Sequence, residues 1–119
     1  MKNSDWLRKV LITEPRGYPC QNVNVIYPPT PNVPNAAFSY VIGENNFVYP
    51  AMSGHNTICV VTALLETDMV TMAEPVTKFV LEAPAGAIAI TGIYISRLLL
   101  FMFLSLHCRS RAMIKRSNK

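Results

Sequence analysis

The chain passes abruptly from small polar side chains into an apolar block near its middle. Ser53, Gly54, His55 and Asn56 come first, and residues 58–65 that follow are mostly apolar. This junction predicts the start of a buried helix, whose first turn carries backbone N–H groups that have no partner inside the helix. Those groups and the helix macrodipole favour a bound anion, and a glycine here lets a ligand approach the backbone closely. The segment therefore predicts a helix start that binds a carboxylate, with a hydroxyl and an imidazole beside it.

The same residues also suit a purely structural role. Ser53 is a common N-cap residue, and the polar side chain of Asn56, three positions further on, approximates a capping box. The sequence around Ser53 does not contain the Gly-x-Ser-x-Gly elbow of serine hydrolases. Two interpretations therefore stay open at this point, a helix cap and a substrate-binding site.

Hydrophobic periodicity divides the chain into short elements. We expect a short amphipathic helix at residues 5–11 and a buried helix at residues 53–67, although the β-branched residues of the apolar block would also suit a strand. The proline-rich residues 28–34 must form a loop, because proline has no backbone N–H to donate. Alternating or β-branched patterns predict strands at residues 22–27, 36–42, 47–49, 76–80 and 87–95.

Five motifs in a fixed order resemble those of the proline racemase family, which includes hydroxyproline epimerases and trans-3-hydroxyproline dehydratases. The clearest is Met-Ser-Gly-His-Asn-Thr at residues 52–57, which looks like the first catalytic motif of that family. The others are Glu14-Pro-Arg-Gly17, Leu64-Leu-Glu-Thr67, Glu74-Pro-Val-Thr77 and Leu81-Glu-Ala-Pro84. The resemblance extends over about residues 5–90, and five ordered motifs make it specific.

The resemblance implies an α+β fold with a β-barrel-like sheet around a central buried helix. In the family this is one half of a two-domain, diaminopimelate epimerase-like fold whose active site lies between the halves. We expect residues 1–90 to be a partial domain of this kind, and residues 91–119 to be an apolar and then basic tail foreign to the family, as a frameshift or a mis-predicted exon would produce. Asp68 stands where the family usually has glycine, at the helix C-terminus. Because the second half of the fold is not expected here, the chain alone is expected to be inactive.

In racemases and epimerases of this family, two cysteine thiols face opposite sides of the substrate α-carbon, one removing a proton and the other returning one. The resemblance implies no cofactor, no metal, a proline or hydroxyproline substrate and a frequent homodimer. Ser53 stands at the first thiol position and is the expected catalytic residue, while Gly54, His55 and Asn56 are expected to bind the substrate. Ser53 is a poor base, since an alkoxide is far less accessible than a thiolate near neutral pH. The resemblance therefore favours a dehydratase, in which one base suffices because the β-hydroxide leaves after proton loss, with a hydroxyproline epimerase still open.

Charge is distributed unevenly along the 119 residues. Residues 1–96 hold five basic and seven acidic side chains, whereas residues 97–119 hold six basic side chains and no acidic one. The basic run lacks aromatic side chains for base stacking, so binding to nucleic acid is not expected. Residues 85–106 are apolar over a length that can span a bilayer, with Arg97 near the middle. The alternative function is therefore a small non-catalytic or membrane-tethered protein with a single C-terminal apolar segment.

The three cysteines, Cys20, Cys59 and Cys108, form neither a Cys-x-x-Cys pair nor a metal-ligand spacing. An odd number also argues against a disulfide scaffold. Cys59 is expected to pack as a small apolar side chain, and Cys20 to lie in a loop. This pattern is typical of a reducing compartment, so we expect a cytoplasmic protein.

Overall fold

A computed structural model describes residues 5–18, 20–45, 48–95 and 98–106 of the chain. Its elements are two helices and five strands: α1 (Asp5–Ile12), β1 (Val23–Tyr27), β2 (Phe38–Gly43), α2 (Gly54–Glu66), β3 (Val76–Ala83), β4 (Gly86–Ile95) and β5 (Leu98–Leu106). This is an α+β fold, as the sequence predicts. Both predicted helices and four of the five predicted strands are confirmed, with shifts of up to three residues at their ends.

The five strands form one mixed sheet in the order β1-β2-β3-β4-β5. Strands β2 and β3 are parallel, because α2 carries the chain back across the sheet between them. All other neighbours pair antiparallel, and the β4–β5 register shifts at Ile93 and Tyr94. Among the described residues the sheet is therefore open, with β1 and β5 at its edges.

Helix α2 packs its apolar stripe against one face of this sheet. Alternation along β2 turns Tyr40 and Ile42 toward the helix, while Val41 faces the other side. The buried core combines residues from α2, β2, β3 and β4: Tyr40, Ile42, Val60, Val61, Leu64, Leu65, Leu81, Ala83, Ile88 and Ile90. The start of α2, where the candidate site lies, is thus held by a helix whose inner side packs into the buried core.

The outer side of α2 is not covered by any described residue, which corrects two expectations. The apolar block predicts a helix that is buried all round, yet Ile58 is 44% exposed. Cys59 was expected to pack inside and is instead an exposed free thiol. The physical reason is that the sheet covers one side of the helix only. Cys20 is exposed and lies outside the helices and strands, as predicted, and Cys108 lies outside the described residues.

The strand predicted at residues 47–49 is wrong for its described part. Val48 and Tyr49 lie outside any helix or strand, and Phe47 lies outside the described residues. The backbone N–H of Glu44 instead donates to the Val48 carbonyl at 2.9 Å, which closes a short turn after β2. Val48 and Tyr49 pair with no strand among the described residues, so β-branched and aromatic character alone does not make a strand here.

Helix α2 is followed by a left-handed residue. Asp68 has a φ of 56°, the left-handed conformation for which glycine is normally preferred. The Val70 N–H then donates to the Leu64 carbonyl at 3.1 Å and satisfies one of the last carbonyl groups of the helix. Asp68 therefore adopts a conformation that glycine enters more readily.

Strand β4 crosses the predicted domain boundary at residue 90 and pairs with β5. The stretch 85–106, considered above as a bilayer span, contributes these two strands. Within the described residues, no helix combines the length and apolar character needed to cross a membrane. Arg97 and the basic residues after Leu106 lie outside the described residues. The division into residues 1–90 and 91–119 stays a prediction.

Candidate functional site

Ser53 caps helix α2, so the structural half of the sequence interpretation is confirmed. Its backbone is extended, with φ −145° and ψ 124°, as N-cap residues usually are. Its Oγ accepts hydrogen bonds from the backbone N–H of Asn56 at 3.4 Å and from the Asn56 side-chain amide at 3.1 Å. This differs from a capping box, in which the third residue would reach the backbone N–H of the cap. The Ser53 hydroxyl oxygen is therefore engaged as an acceptor.

The surface in front of the first turn is open. A Cβ added to Gly54 would meet no atom within 4 Å, so the backbone there can be approached directly. The N–H groups of Gly54 and His55 donate to no acceptor in the described part of the chain. The side chain of His55 is exposed, whereas Asn56 is 5% exposed and turned toward Ser53. Two N–H donors without a partner among the described residues and one exposed imidazole thus occur together in the first turn of α2.

Two buried hydroxyl groups stand behind the helix start. The Thr57 hydroxyl donates to the Ser53 carbonyl at 2.7 Å, and the Thr57 N–H donates to the same oxygen at 2.9 Å. The phenol oxygen of Tyr40 lies 2.5 Å from Thr57 Oγ1, and both residues have no exposed surface. Burial raises the pKa of Tyr40 despite the opposing hydrogen bond from Thr57, so the phenol stays protonated and able to donate.

Sequence reasoning did not identify Tyr40 or its role. A signal was present, because the alternation of β2 places this tyrosine on the apolar face, and a buried tyrosine hydroxyl nearly always has a partner. What the sequence could not indicate is that the partner is Thr57, one turn into a helix 17 residues away. We call Tyr40, Ser53, Asn56 and Thr57 the helix-start cluster.

The segment that leads into Ser53 is attached at both ends. Near its start, the Tyr49 hydroxyl donates to Asp5 at 2.7 Å, and Asp5 also pairs with Arg8 at 2.7 Å. The hydrogen bonds from Arg8 and Tyr49 outweigh the opposing effect of burial and hold the pKa of Asp5 well below its usual range. Near its end, the Ala51 carbonyl accepts the Ala85 N–H at 2.9 Å from the β3–β4 turn. Helix α1 and the sheet therefore both fix the approach to the site.

Glu82 forms a second buried polar cluster, on the other face of β2. Its carboxylate accepts hydrogen bonds from the Ser39 hydroxyl, from the Thr30 N–H at 2.8 Å and from the Thr30 hydroxyl at 2.5 Å. Burial alone would raise the pKa of Glu82, but these hydrogen bonds together lower it. We call Thr30, Ser39 and Glu82 the loop cluster, because it ties the proline-rich loop to the sheet.

An apolar groove of about 290 Å³ lies apart from the candidate residues. Its walls come from α1, from the face of β1 and β2 that points away from α2, and from Tyr49 after β2: Leu7, Arg8, Val23, Val25, Tyr27, Val41, Gly43 and Tyr49. The Arg8 guanidinium is committed to Asp5 and to the carbonyls of Glu44 and Asn45. A small, charged substrate therefore has better partners at the start of α2 than in this groove.

Comparison with known proteins gives one consistent result. The model of the proline racemase family matches residues 1–95. A relative from Marinobacter nauticus is 44% identical over 91 residues, which make up 76% of this chain and 25% of the relative. The chain spans about a quarter of that relative.

Two solved structures agree with this result. A probable proline racemase from Agrobacterium radiobacter K84 with bound carbonate has a TM-score of 0.78 and 36% identity. A hydroxyproline epimerase from Agrobacterium vitis with bound trans-4-hydroxy-L-proline has a TM-score of 0.79 and 34% identity. Each comparison covers 86% of this chain and 29% of the neighbour. The chain belongs to the proline racemase family.

Proposed function

We propose that this chain supplies the substrate-carboxylate site of a cofactor-independent enzyme that acts on proline or a hydroxyproline. The observation that carries the proposal is the open first turn of α2, where the Gly54 and His55 N–H groups lack partners within the described residues. Helix N-termini bind anions through such groups. Carbonate and trans-4-hydroxy-L-proline, the ligands of the two solved relatives, both carry a planar oxyanion of the kind these groups can bind.

The complete enzyme is proposed to close the open sheet into the barrel-like, two-domain fold, and to form its active site between the two halves. The chain spans 29% of each solved neighbour, so the groups facing the other side of the substrate belong to the rest of that fold. On this proposal Ser53 lies on one face of the substrate α-carbon, and Gly54, His55 and Asn56 form the wall around its carboxylate. The base that removes the α-proton comes from the opposite face.

Ser53 further favours dehydration of trans-3-hydroxy-L-proline over epimerisation. Its hydroxyl oxygen already accepts two hydrogen bonds from Asn56, and a neutral hydroxyl is a poor acceptor for a proton from carbon. Dehydration needs one base, which takes the α-proton while the β-hydroxyl departs with a proton as water. His55 is exposed beside this space and can supply that proton. Epimerisation would need a second group on the Ser53 side to return a proton to the α-carbon.

The test is a hybrid enzyme. Residues 1–95 replace the matching segment of the Agrobacterium vitis epimerase, and the hybrid is assayed with L-proline, trans-4-hydroxy-L-proline and trans-3-hydroxy-L-proline. We expect dehydration of the 3-hydroxy substrate and little epimerisation. In the same hybrid, Ser53→Cys should raise epimerisation by about 10²–10⁴-fold, the usual contribution of a positioned acid or base.

Two outcomes would contradict the proposal. One is a Ser53 hybrid that epimerises trans-4-hydroxy-L-proline as fast as its cysteine variant, which would remove the assignment of the reaction. The other is turnover by the purified 119-residue chain that is abolished by Ser53→Ala, because the chain alone is expected to be inactive.

A further inference from the structure

The two hydrogen bonds that link Tyr40, Thr57 and Ser53 run in the same direction, from Tyr40 toward Ser53. Thr57 has a single hydroxyl proton, and this proton is donated to the Ser53 carbonyl at 2.7 Å. The 2.5 Å contact between Tyr40 and Thr57 must then use the tyrosine proton, with Thr57 Oγ1 as the acceptor. Tyr40 therefore acts on Ser53 through Thr57. Both Tyr40 and Thr57 are fully buried.

The need of buried polar groups for partners does not by itself explain the hydrogen bonds from Tyr40 through Thr57 to Ser53. The Ser53 carbonyl already accepts the helical hydrogen bond from the Thr57 N–H at 2.9 Å. A Phe and Val pair would fill nearly the same volume in the core without any polar group to satisfy. The second bond to the Ser53 carbonyl has a geometric consequence instead, since two donors define its direction more narrowly than one.

Peptide planarity carries this effect to the surface. The carbonyl of Ser53 and the N–H of Gly54 belong to the same planar peptide unit and point in opposite directions. Holding the carbonyl toward Thr57 therefore holds the Gly54 N–H in the opposite direction, outward from the N-terminal end of the helix. That N–H is one of the two donors without a partner among the described residues.

We propose that Tyr40 is a positioning residue of the site, which acts through Thr57 and the Ser53 peptide to aim the Gly54 N–H at the substrate carboxylate. The inference rests on the proposed function for the identity of the ligand. The orientation itself is a property of the unliganded chain and can be measured without any substrate.

The experiment uses solution NMR on the 119-residue chain. The variants are Tyr40→Phe, Thr57→Val, Thr57→Ser and the double variant Tyr40→Phe with Thr57→Val. Tyr27→Phe is the matched control, because Tyr27 lies on the opposite face of the sheet and lines the groove. The local reporters are the carbonyl carbon of Ser53 and the N–H of Gly54. The distant reporter is the amide of Lys78, which lies in the part of β3 that pairs only with β4.

We expect Tyr40→Phe and Thr57→Val each to shift both local reporters and to leave Lys78 unchanged. Hydrogen exchange at the Asn56 and Thr57 amides should accelerate about two- to tenfold, as the loss of one buried hydrogen bond implies. Thr57→Ser keeps the hydroxyl and should retain the signals of the unaltered chain. The double variant should be no more affected than Thr57→Val, because the two groups act in series.

Any of four results would overturn the proposal: local reporters that do not move, equal changes at Lys78, additive effects in the double variant, or loss of the cooperative fold in Tyr40→Phe. The last would show that the phenol supports the core and not a local orientation. Titration with trans-4-hydroxy-L-proline separates this proposal from the proposed function. A chain that keeps the local reporter changes but shows no response to the ligand would refute the function and leave the positioning intact.

Discussion

Two neighbouring residues of strand β2 belong to two different buried polar clusters, one built around a charged group and one neutral. Ser39 points to one face of the sheet and joins the loop cluster around the Glu82 carboxylate. Tyr40 points to the other face and joins the helix-start cluster, in which every hydrogen-bonding group is a neutral hydroxyl, amide or peptide group. Both Ser39 and Tyr40 have no exposed surface.

The difference shows how one fold attaches a loop and a site in separate ways. A carboxylate that accepts three hydrogen bonds holds the proline-rich loop strongly, but its contribution depends on pH. Neutral groups behind the helix start hold its geometry at any pH near neutrality. They also add no negative charge beneath a surface that is proposed to bind a carboxylate. The buried charge of Glu82 therefore lies on the face of the sheet away from the site, where it attaches the loop.

The largest effect is expected for Glu82→Gln. The amide keeps the size of the side chain but cannot accept all three hydrogen bonds, so we expect the free energy of unfolding to fall by about 2 kcal/mol. Urea denaturation followed by far-UV circular dichroism measures it. Glu66→Gln is the matched control, since that exposed carboxylate should change stability by less than about 0.5 kcal/mol. Equal losses of unfolding free energy in Glu82→Gln and Glu66→Gln would contradict a special role for the buried Glu82 carboxylate.

The next prediction concerns pH and has opposite signs for the two clusters. The pKa of Glu82 is lowered from 4.5 in the folded chain, so its stabilisation is present above that value and is lost as the pH falls through the folded pKa. The pKa of Tyr40 is raised from 10.0, so stability falls as the pH rises beyond that value. When the free energy of unfolding is plotted against pH, Glu82→Gln should therefore show a smaller decrease at acid pH than the unaltered chain. Tyr40→Phe should show a smaller decrease at alkaline pH.

These curves are interpreted as differences from the unaltered chain. Asp5 also has a lowered pKa, and Tyr27 and Tyr49 have raised ones, so each limb contains other contributions. The comparison fails if Tyr40→Phe changes the acid limb as much as Glu82→Gln does.

The smallest effect is expected for Ser53→Ala. Loss of the cap removes the acceptor of the Asn56 N–H and side-chain amide, which should cost about 1 kcal/mol. Since no charged group is involved, this loss should be the same between pH 5 and pH 8, and urea titrations at both values measure it. A loss that grows steadily across this range would show that the helix-start cluster includes an ionised partner.

The sequence predicts the elements of this fold better than their partners. The polar-to-apolar junction before residue 58 correctly predicts the start of α2, and the capping geometry follows from the chemistry of Ser53. The position of Asp68 at the helix end was identified, although its left-handed conformation was not predicted. These features depend on local sequence, where the period of apolar residues and the choice of cap residue are informative.

Long-range contacts were less predictable. The Tyr40–Thr57 and Ser39–Glu82 hydrogen bonds join residues that are far apart in sequence and depend on strand order, which one sequence does not determine. The exposed side of α2 and the irregular backbone at Val48 and Tyr49 were missed for the same reason. An apolar block indicates that a helix can be buried all round, but not which of its sides the neighbouring strands cover.

The central claim is that the first turn of α2 is a preformed carboxylate site, and amide NMR during titration with trans-4-hydroxy-L-proline tests it most directly. Its methyl ester is the control ligand, because esterification removes the carboxylate charge and keeps the ring. We predict weak but saturable shifts of the Gly54 and His55 amide signals with the amino acid, little response to the ester, and no change at Val25 in the groove. Shifts of equal size with both ligands, shifts confined to Val25, or no shift at Gly54 and His55 would contradict the claim.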